Sequence, residues 1–156
     1  MSRIRGSNTG PERYLFALFD AGGLEFRTHV RDLAGRPDFV FDSDQLAVFV
    51  DGDFWHGWRF PVWNTKLSPR WREKIESNRK RDSSQRRRLR YRHWKVLRIW
   101  EHQIEEDCLA CVRRVARRLE TQSPDWTAIE KYFSTLPKLK RRNRLPRVSR
   151  SIVWNE

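Results

Sequence analysis

The spacing of apolar residues in the first third of the chain predicts one helix followed by three short strands. The helix has an apolar face at helical spacing, formed by Leu15, Phe16, Leu18 and Phe19, and the Gly22-Gly23 pair is expected to end it. Strand-like composition then recurs over residues 24–30, 38–41 and 46–50. Because only tight turns at 33–37 and 42–45 separate these segments, we expect an antiparallel meander.

The middle and end of the chain predict a long helix, one more buried strand and two shorter helices. Residues 57–67 are expected to form an irregular loop, and Ser68-Pro69 signals a helix that continues to about Tyr91. The VLRIW segment at 96–100 is a buried strand that a crossover can pair in parallel with an earlier one. An amphipathic helix is expected over 105–122, and a short helix can follow over 125–133. The pattern therefore predicts an α/β fold with a mixed sheet.

Polar side chains with metal-binding and acid–base chemistry follow the most apolar strand directly. The segment LAVFVDGDFWHG ends in Asp51, Asp53 and His56, and Asp38 stands at the head of the neighbouring strand. Open α/β sheets hold ligands at such strand ends. We therefore expect these four side chains to form one cluster that binds a metal through oxygen ligands.

The charge balance indicates a polyanionic partner. Lys and Arg number 33 against 20 Asp and Glu, which gives a formal charge of +13, and such an excess favours phosphate contact. Binding to some other acidic surface is the alternative. No apolar run is long enough to cross a bilayer and the N-terminus is unlike a signal peptide, so a cytoplasmic location without membrane attachment is expected. Cys108 and Cys111 share an apolar helix face, which favours core packing over zinc or redox chemistry.

Several candidate residues also have a purely structural interpretation. Glu12 stands three residues after Thr9, the spacing of a capping box, so it can cap its helix rather than act chemically. Asn78 and Asp82 lie on one face of the long predicted helix, together with Trp71, Ile75 and Gln85. That face can point towards a ligand or simply towards water.

Five segments in order, NTGPE, LAGRPDFVF, AVFVDGDFWHG, WREKIESNRKRD and WKVLRIWE, resemble the very short patch repair endonucleases. The resemblance extends over about residues 4–103 and also includes Vsr-like homing endonucleases. It implies a restriction-endonuclease-like core of the PD-(D/E)xK type, with a mixed β-sheet flanked by helices. On this basis we expect an endonuclease domain at 1–122 and a basic C-terminal extension at 123–156.

The resemblance also implies an active site. The catalytic glutamate, aspartate, histidine and second aspartate of the family fall on Glu12, Asp38, His56 and Asp82. Asp38 corresponds to the magnesium ligand, assisted by the main-chain carbonyl of Val50. His56 would activate the attacking water or relay its proton, with Asp82 fixing its tautomer.

Position 51 departs from the family. The mismatch repair enzymes have a histidine there and many restriction-type nucleases a lysine, whereas this chain has Asp51. A carboxylate cannot donate a proton at neutral pH, but it can bind metal or orient water. We therefore include Asp51 among the expected catalytic and metal-binding residues.

Aromatic residues that the family inserts into DNA are present as Phe54, Trp55 and Trp71. Together with them, we expect DNA contact from four polar residues of the long predicted helix, namely Lys74, Asn78, Arg79 and Arg81. The alternative is that Trp55 packs against Trp58 and Trp63 in an aromatic cluster.

A structural zinc site of the family falls on Asp53, Trp58, Phe60 and His102. Two of these are hydrophobic and cannot ligate zinc, so no structural zinc is expected.

The resemblance thus implies a Mg²⁺-dependent DNA endonuclease that nicks double-stranded DNA at or near a T:G mismatch. A monomer without a small-molecule cofactor is expected. A homing, restriction or nicking endonuclease on the same core is the enzymatic alternative. A DNA-binding module without catalysis is the alternative of another class.

Overall fold

A computed structural model describes residues 10–139, in which four strands form one mixed sheet. The strands are β1 (Arg27–Thr28), β2 (Phe39–Phe41), β3 (Leu46–Asp51) and β4 (Lys95–Trp100), and they lie in the order β1-β2-β3-β4. The first three pair antiparallel, whereas β4 runs parallel to β3. The helices are α1 (Gly10–Ala21), α2 (Phe60–Trp63), α3 (Pro69–Tyr91), α4 (Glu101–Glu106), α5 (Cys108–Ala116) and α6 (Trp126–Thr135). The predicted meander, parallel strand and long helix are thus confirmed.

The two faces of the sheet are covered by different helices. Alternate residues of β3 point to opposite faces, so Leu46, Val48 and Val50 pack with α1, α5 and α6, whereas Ala47 packs with Leu89 of α3. The sheet therefore lies between helical layers, and α3 crosses it on the face that also contains Asp51.

The first predicted strand, 24–30, is wrong in length, since only two of its residues pair in the sheet. Leu24 N–H donates to the carbonyl of Phe19 and completes the end of α1. The backbone N–H of Glu25 donates to the side-chain oxygen of Gln122, and the Gln122 side-chain amide donates to the Glu25 carbonyl. His29 then adopts a left-handed φ of 51°, which is incompatible with extended pairing.

The single helix predicted over 105–122 is also wrong. Asp107 has a non-helical backbone (φ −152°, ψ 86°) that separates α4 from α5, and its carboxylate accepts a hydrogen bond from Ala110 N–H at 2.9 Å. It is therefore the N-cap of α5, a role that aspartate fills well. Within the predicted loop 57–67, α2 is a further helical turn that the sequence did not indicate.

Asp44 connects the β2–β3 turn to the segment after α5. Its buried carboxylate accepts hydrogen bonds from the N–H groups of Glu120 (2.5 Å) and Thr121 (2.9 Å), and from the Thr121 hydroxyl (2.8 Å). Because the N–H groups of Glu120 and Thr121 donate to Asp44, they are not available for helical hydrogen bonds, and the chain after α5 is not helical.

The predicted helix over 125–133 is confirmed as α6, which packs on α1 with Ile129 fully buried. Thr9, the first residue of the possible capping box, lies outside the described residues. So do residues 140–156 of the expected basic C-terminal extension. Burial raises the pKa of Cys108 to about 12 and of Cys111 to about 11, so both thiols belong to the core, as predicted. No helix within 10–139 is long and apolar enough to span a membrane.

Candidate active site

Asp38 lies opposite the carboxyl end of β3, one residue before β2 begins. Its backbone N–H donates to Val48 O at 3.0 Å, and its Oδ2 accepts from Val50 N–H at 2.7 Å. In an extended strand the N–H and C=O of one residue point to the same side. The Val50 carbonyl therefore projects towards the side of β3 where Asp38 lies.

Glu12 and Asp38 line one cavity of about 300 Å³ between α1 and the edge of the sheet. Both side chains are largely buried. Burial is the main cause that raises the pKa of Asp38 to about 7; the charges of Glu12 and Asp51 raise it further, while the Val50 hydrogen bond opposes the shift. Three carboxyl groups close enough to repel one another are an arrangement that a cation stabilises.

His56 is held between two carboxylates. Its Nδ1 lies 2.7 Å from Asp82 Oδ2 and 3.3 Å from Asp51 Oδ1. Burial lowers the pKa of His56, but the hydrogen bond to Asp82 and the negative charges of Asp51 and Asp82 outweigh that effect and raise it. Burial raises the pKa of Asp82, and its bond to His56 reverses that shift. Because Nδ1 faces carboxylates, Nε2 is the nitrogen left for chemistry.

The structure thus brings together the five residues predicted as catalytic, Glu12, Asp38, Asp51, His56 and Asp82. Asp53 is different, since its Oδ1 lies 2.7 Å from Nδ1 of His102. The expectation that Asp53 belongs to the catalytic cluster is therefore not met.

Arg98 of β4 is a site residue that sequence reasoning missed. Its Nε contacts Asp51 Oδ2 directly, and its Nη2 lies 3.8 Å from Asp82 Oδ2. The signal was present in the VLRIW strand, where one charged residue interrupts an apolar run. Once β3 and β4 are placed in register, Arg98 lies on the same sheet face as Asp51.

The expected wedge residues lie together beside the site. Trp55 and Trp71 have ring centroids 5.5 Å apart, and Phe54 packs against both rings and stacks on Trp63. Trp71 is 40% exposed. The Lys74 ammonium lies 5.5 Å from the Trp55 ring and 5.6 Å from the Trp71 ring. An aromatic surface with an adjacent cation therefore borders the catalytic residues.

The other expected DNA-binding residues support this surface from α3. Asn78 Nδ2 donates to the Trp55 carbonyl at 3.2 Å, and Arg81 donates to Asn78 Oδ1 at 3.3 Å. The Arg79 side chain crosses Gly57, where a Cβ would lie 2.6 Å from Arg79 Cδ. Gly57 also has a φ of +71°, so both backbone and space favour glycine there.

The four positions that correspond to the family's zinc site hold a different structure. Trp58 packs on the rings of His102 (4.4 Å) and Trp100 (4.9 Å), and Phe60 is buried against Trp63. Only Asp53 and His102 have zinc-ligating chemistry, and they bind each other. These residues do not fit a four-coordinate zinc.

Comparison with known proteins agrees with the resemblance to the very short patch repair endonucleases. The profile of the family described as DNA mismatch endonuclease Vsr matches residues 1–61. Type II nicking enzyme V.XorIIP of Xanthomonas oryzae pv. oryzae is 37% identical over 108 residues, which cover 68% of this chain and 79% of the relative. Type II nicking enzyme V.NmeDIP of Neisseria meningitidis serogroup C is 34% identical over 118 residues, covering 74% and 80%. DNA mismatch endonuclease Vsr of Escherichia coli is 37% identical over 106 residues, covering 65% and 66%.

Proposed function

This chain belongs to the Vsr family of DNA mismatch endonucleases and is a DNA endonuclease, and we propose that it nicks one strand of duplex DNA at or near a T:G mismatch. We further propose that the reaction depends on magnesium and that the protein acts as a monomer. The observation that supports this most is the convergence of Glu12, Asp38, His56 and Asp82 at the end of β3. The core is of the restriction-endonuclease type, with Asp51 in the place of the usual lysine.

The donors at the site suit a hard cation. Asp38 and the Val50 carbonyl would hold Mg²⁺, with the Asp51 carboxylate as a further oxygen donor, and Mg²⁺ is commonly bound by few protein oxygens and several waters. Among residues 10–139, no three His, Cys, Asp or Glu side chains form a metal-binding group by themselves. Protein oxygens combined with waters are therefore the arrangement we propose. The bound ion would neutralise charge that develops on the scissile phosphate.

His56 is the proposed base. Its Nε2 accepts a proton from the attacking water, and the two carboxylates at Nδ1 stabilise the imidazolium that results. The raised pKa of His56 agrees with this role, because the same carboxylates that raise it make the ring a stronger base. Glu12, which lines the same cavity as Asp38, would orient the water.

The aromatic surface and the basic face of α3 would bind the DNA substrate. Phe54, Trp55 and Trp71 would replace the base stack where the duplex opens, and Lys74, Arg79 and Arg81 would neutralise backbone phosphates. A mismatched pair costs less to open than a matched one, so this surface favours mismatched DNA.

A second candidate is a nicking endonuclease that reads a sequence without requiring a mismatch. Two of the relatives are named as type II nicking enzymes, which favours this alternative over a double-strand cutter.

The two candidates share a nicked product and differ in the substrate they require. Supercoiled plasmid that carries a T:G mismatch, incubated with Mg²⁺, distinguishes an open circle, which is the expected product, from the linear molecule that a double-strand cutter would give. Matched and T:G-mismatched oligonucleotide duplexes of the same sequence then give the preference. Equal cleavage of both duplexes would refute mismatch recognition, and no cleavage of any substrate would refute the proposed activity.

A further inference from the structure

We infer that Arg98 is a positioning residue of the active site, which fixes the Asp51 carboxylate and through it the His56 ring. This role rests on the proposed function of the site. It also gives a physical reason for the aspartate at position 51.

The register of the two parallel strands places Arg98 beside Asp51. Asp51 pairs with Trp100, and Arg98 lies two residues earlier on the same face of β4. This is the face that α3 crosses, so Asp82 of α3 approaches the same guanidinium. Arg98 thus lies between two carboxylates that come from different secondary structure elements.

The charges explain why a cation is needed there. Asp51 is 5% and Asp82 is 8% exposed, and both face the same nitrogen of His56. Two buried carboxylates repel each other and are stable only when they are paired. One histidine nitrogen cannot neutralise both, so the permanently charged guanidinium supplies the missing partner.

The contact between Arg98 and Asp51 also determines which oxygen of Asp51 faces His56. Arg98 Nε contacts Oδ2, so Oδ1 is the oxygen that faces His56 Nδ1 at 3.3 Å. A freely rotating Asp51 could turn either oxygen towards His56 or away from it. The guanidinium therefore favours one orientation, in which Asp51 and Asp82 together hold the ring.

Arg98 is itself held in place along its whole length. Its guanidinium stacks on the Trp100 ring, with Cζ 4.1 Å from the ring centroid. Its main-chain carbonyl accepts a hydrogen bond from Arg114 Nη2 at 3.1 Å, and Arg114 Nη1 also bonds Gln103 Oε1 at 2.8 Å. A side chain that is fixed by packing and hydrogen bonds is suited to positioning another group.

One atom of Arg98 is less satisfied than the rest. Nη2 is a buried side-chain nitrogen that has no hydrogen-bond partner among the described residues. A buried charged donor without a hydrogen bond is costly for stability. The ion pair of Nη2 with Asp82 Oδ2 at 3.8 Å offsets part of that cost, so Arg98 depends on Asp82 as well as on Asp51.

The test uses the full chain and measures single-turnover nicking, DNA affinity and melting temperature in parallel. The variants are Arg98→Met, Asp51→Asn and the double variant, because methionine keeps much of the volume and removes the charge. We expect Arg98→Met to slow nicking about tenfold to a hundredfold, as for other residues that orient catalytic groups, with DNA affinity changed less than threefold. In the Asp51→Asn background, the same substitution should slow nicking less than threefold.

Arg113→Met is the matched control. Arg113 also lies over a tryptophan ring, that of Trp126, and its removal changes the net charge equally. Because Arg113 lies outside the site, nicking should stay within about twofold of the unsubstituted protein.

Other outcomes overturn the inference. Equal slowing by Arg98→Met in both backgrounds, with weakened DNA binding, would indicate direct phosphate contact. A lower melting temperature with unchanged nicking would indicate a structural role alone. The ¹⁵N shifts of the His56 ring provide a readout without catalysis, and we expect Arg98→Met to change them. Failure of the unsubstituted protein to nick DNA would refute the proposed function, while unchanged ring shifts would refute the positioning role.

Discussion

The contacts of Trp55 allow its role in DNA binding to be separated from its role in folding. Its ring packs at the edge of Phe54 and against Trp71, and the Lys74 ammonium lies over it. The Trp55 backbone is held separately through Asn78. Trp55→Ala therefore removes the ring without releasing the loop that bears it.

The size of each effect follows from these contacts. Loss of base–aromatic stacking is worth about 1–3 kcal/mol, which corresponds to about 5-fold to 150-fold in affinity for a duplex that must be opened. Loss of two aromatic ring contacts, at about 0.5–1.5 kcal/mol each, predicts a melting temperature that is lower by about 2–12 degrees for a chain of this size.

The assay is a titration of T:G-mismatched and matched duplexes at one fixed salt concentration, with a melting curve for each variant. Trp55→Ala should bind the mismatched duplex more weakly and lose its preference over the matched one. Tyr91→Ala is the control, because Tyr91 is an aromatic residue at the other end of α3 and is 88% exposed. It should change neither quantity. A lower melting temperature together with an unchanged preference for the mismatched duplex would show that Trp55 only packs.

Two further predictions concern stability and metal content. Asp44→Ala should lower the free energy of unfolding by about 1–3 kcal/mol in urea denaturation, because the partly buried N–H groups of residues 120 and 121 lose their acceptor. Hydrogen bonds from Glu120 and Thr121 hold the pKa of Asp44 below its ordinary value, although burial opposes this shift. The stabilisation should thus be complete above about pH 4 and disappear as the pH falls through the folded-state pKa, and a difference from Asp44→Ala that persists at the lowest pH would contradict this. Elemental analysis should find no stoichiometric zinc, and chelators should stop nicking without unfolding the protein; one tightly bound zinc per chain would contradict the assignment of Asp53 and His102 as a hydrogen-bonded pair.

The predictions of α3 and of the central strand, which rest on the strongest local signals, are correct. The Ser68-Pro69 start and the polar composition up to Tyr91 correspond to the bounds of α3. The apolar run at 46–50 is the central part of the sheet, paired on both sides. These features depend on neighbours in sequence, which is why one sequence suffices to find them.

Features that depend on distant contacts were not predicted. The break at Asp107 interrupts a continuous helical pattern, and the non-helical path after α5 depends on Asp44, far away in sequence. Asp53 pairs with His102, and Arg98 pairs with Asp51. Both pairs depend on how β4 and the residues after it are placed beside β3. Charge type alone left each of these residues with several possible partners.

The proposed chemistry depends above all on Asp38. Asp38→Asn removes the negative charge but keeps an oxygen that can accept the hydrogen bond from Val50 N–H, so the fold of the strand ends should be retained. Single-turnover nicking of a T:G duplex in Mg²⁺, measured beside DNA affinity, is the most direct test. We predict at least a roughly hundredfold slower reaction, because metal stabilisation worth several kcal/mol is lost, with affinity unchanged or higher since one negative charge is gone. Nicking by Asp38→Asn at the rate of the unsubstituted protein would contradict the assignment of this site.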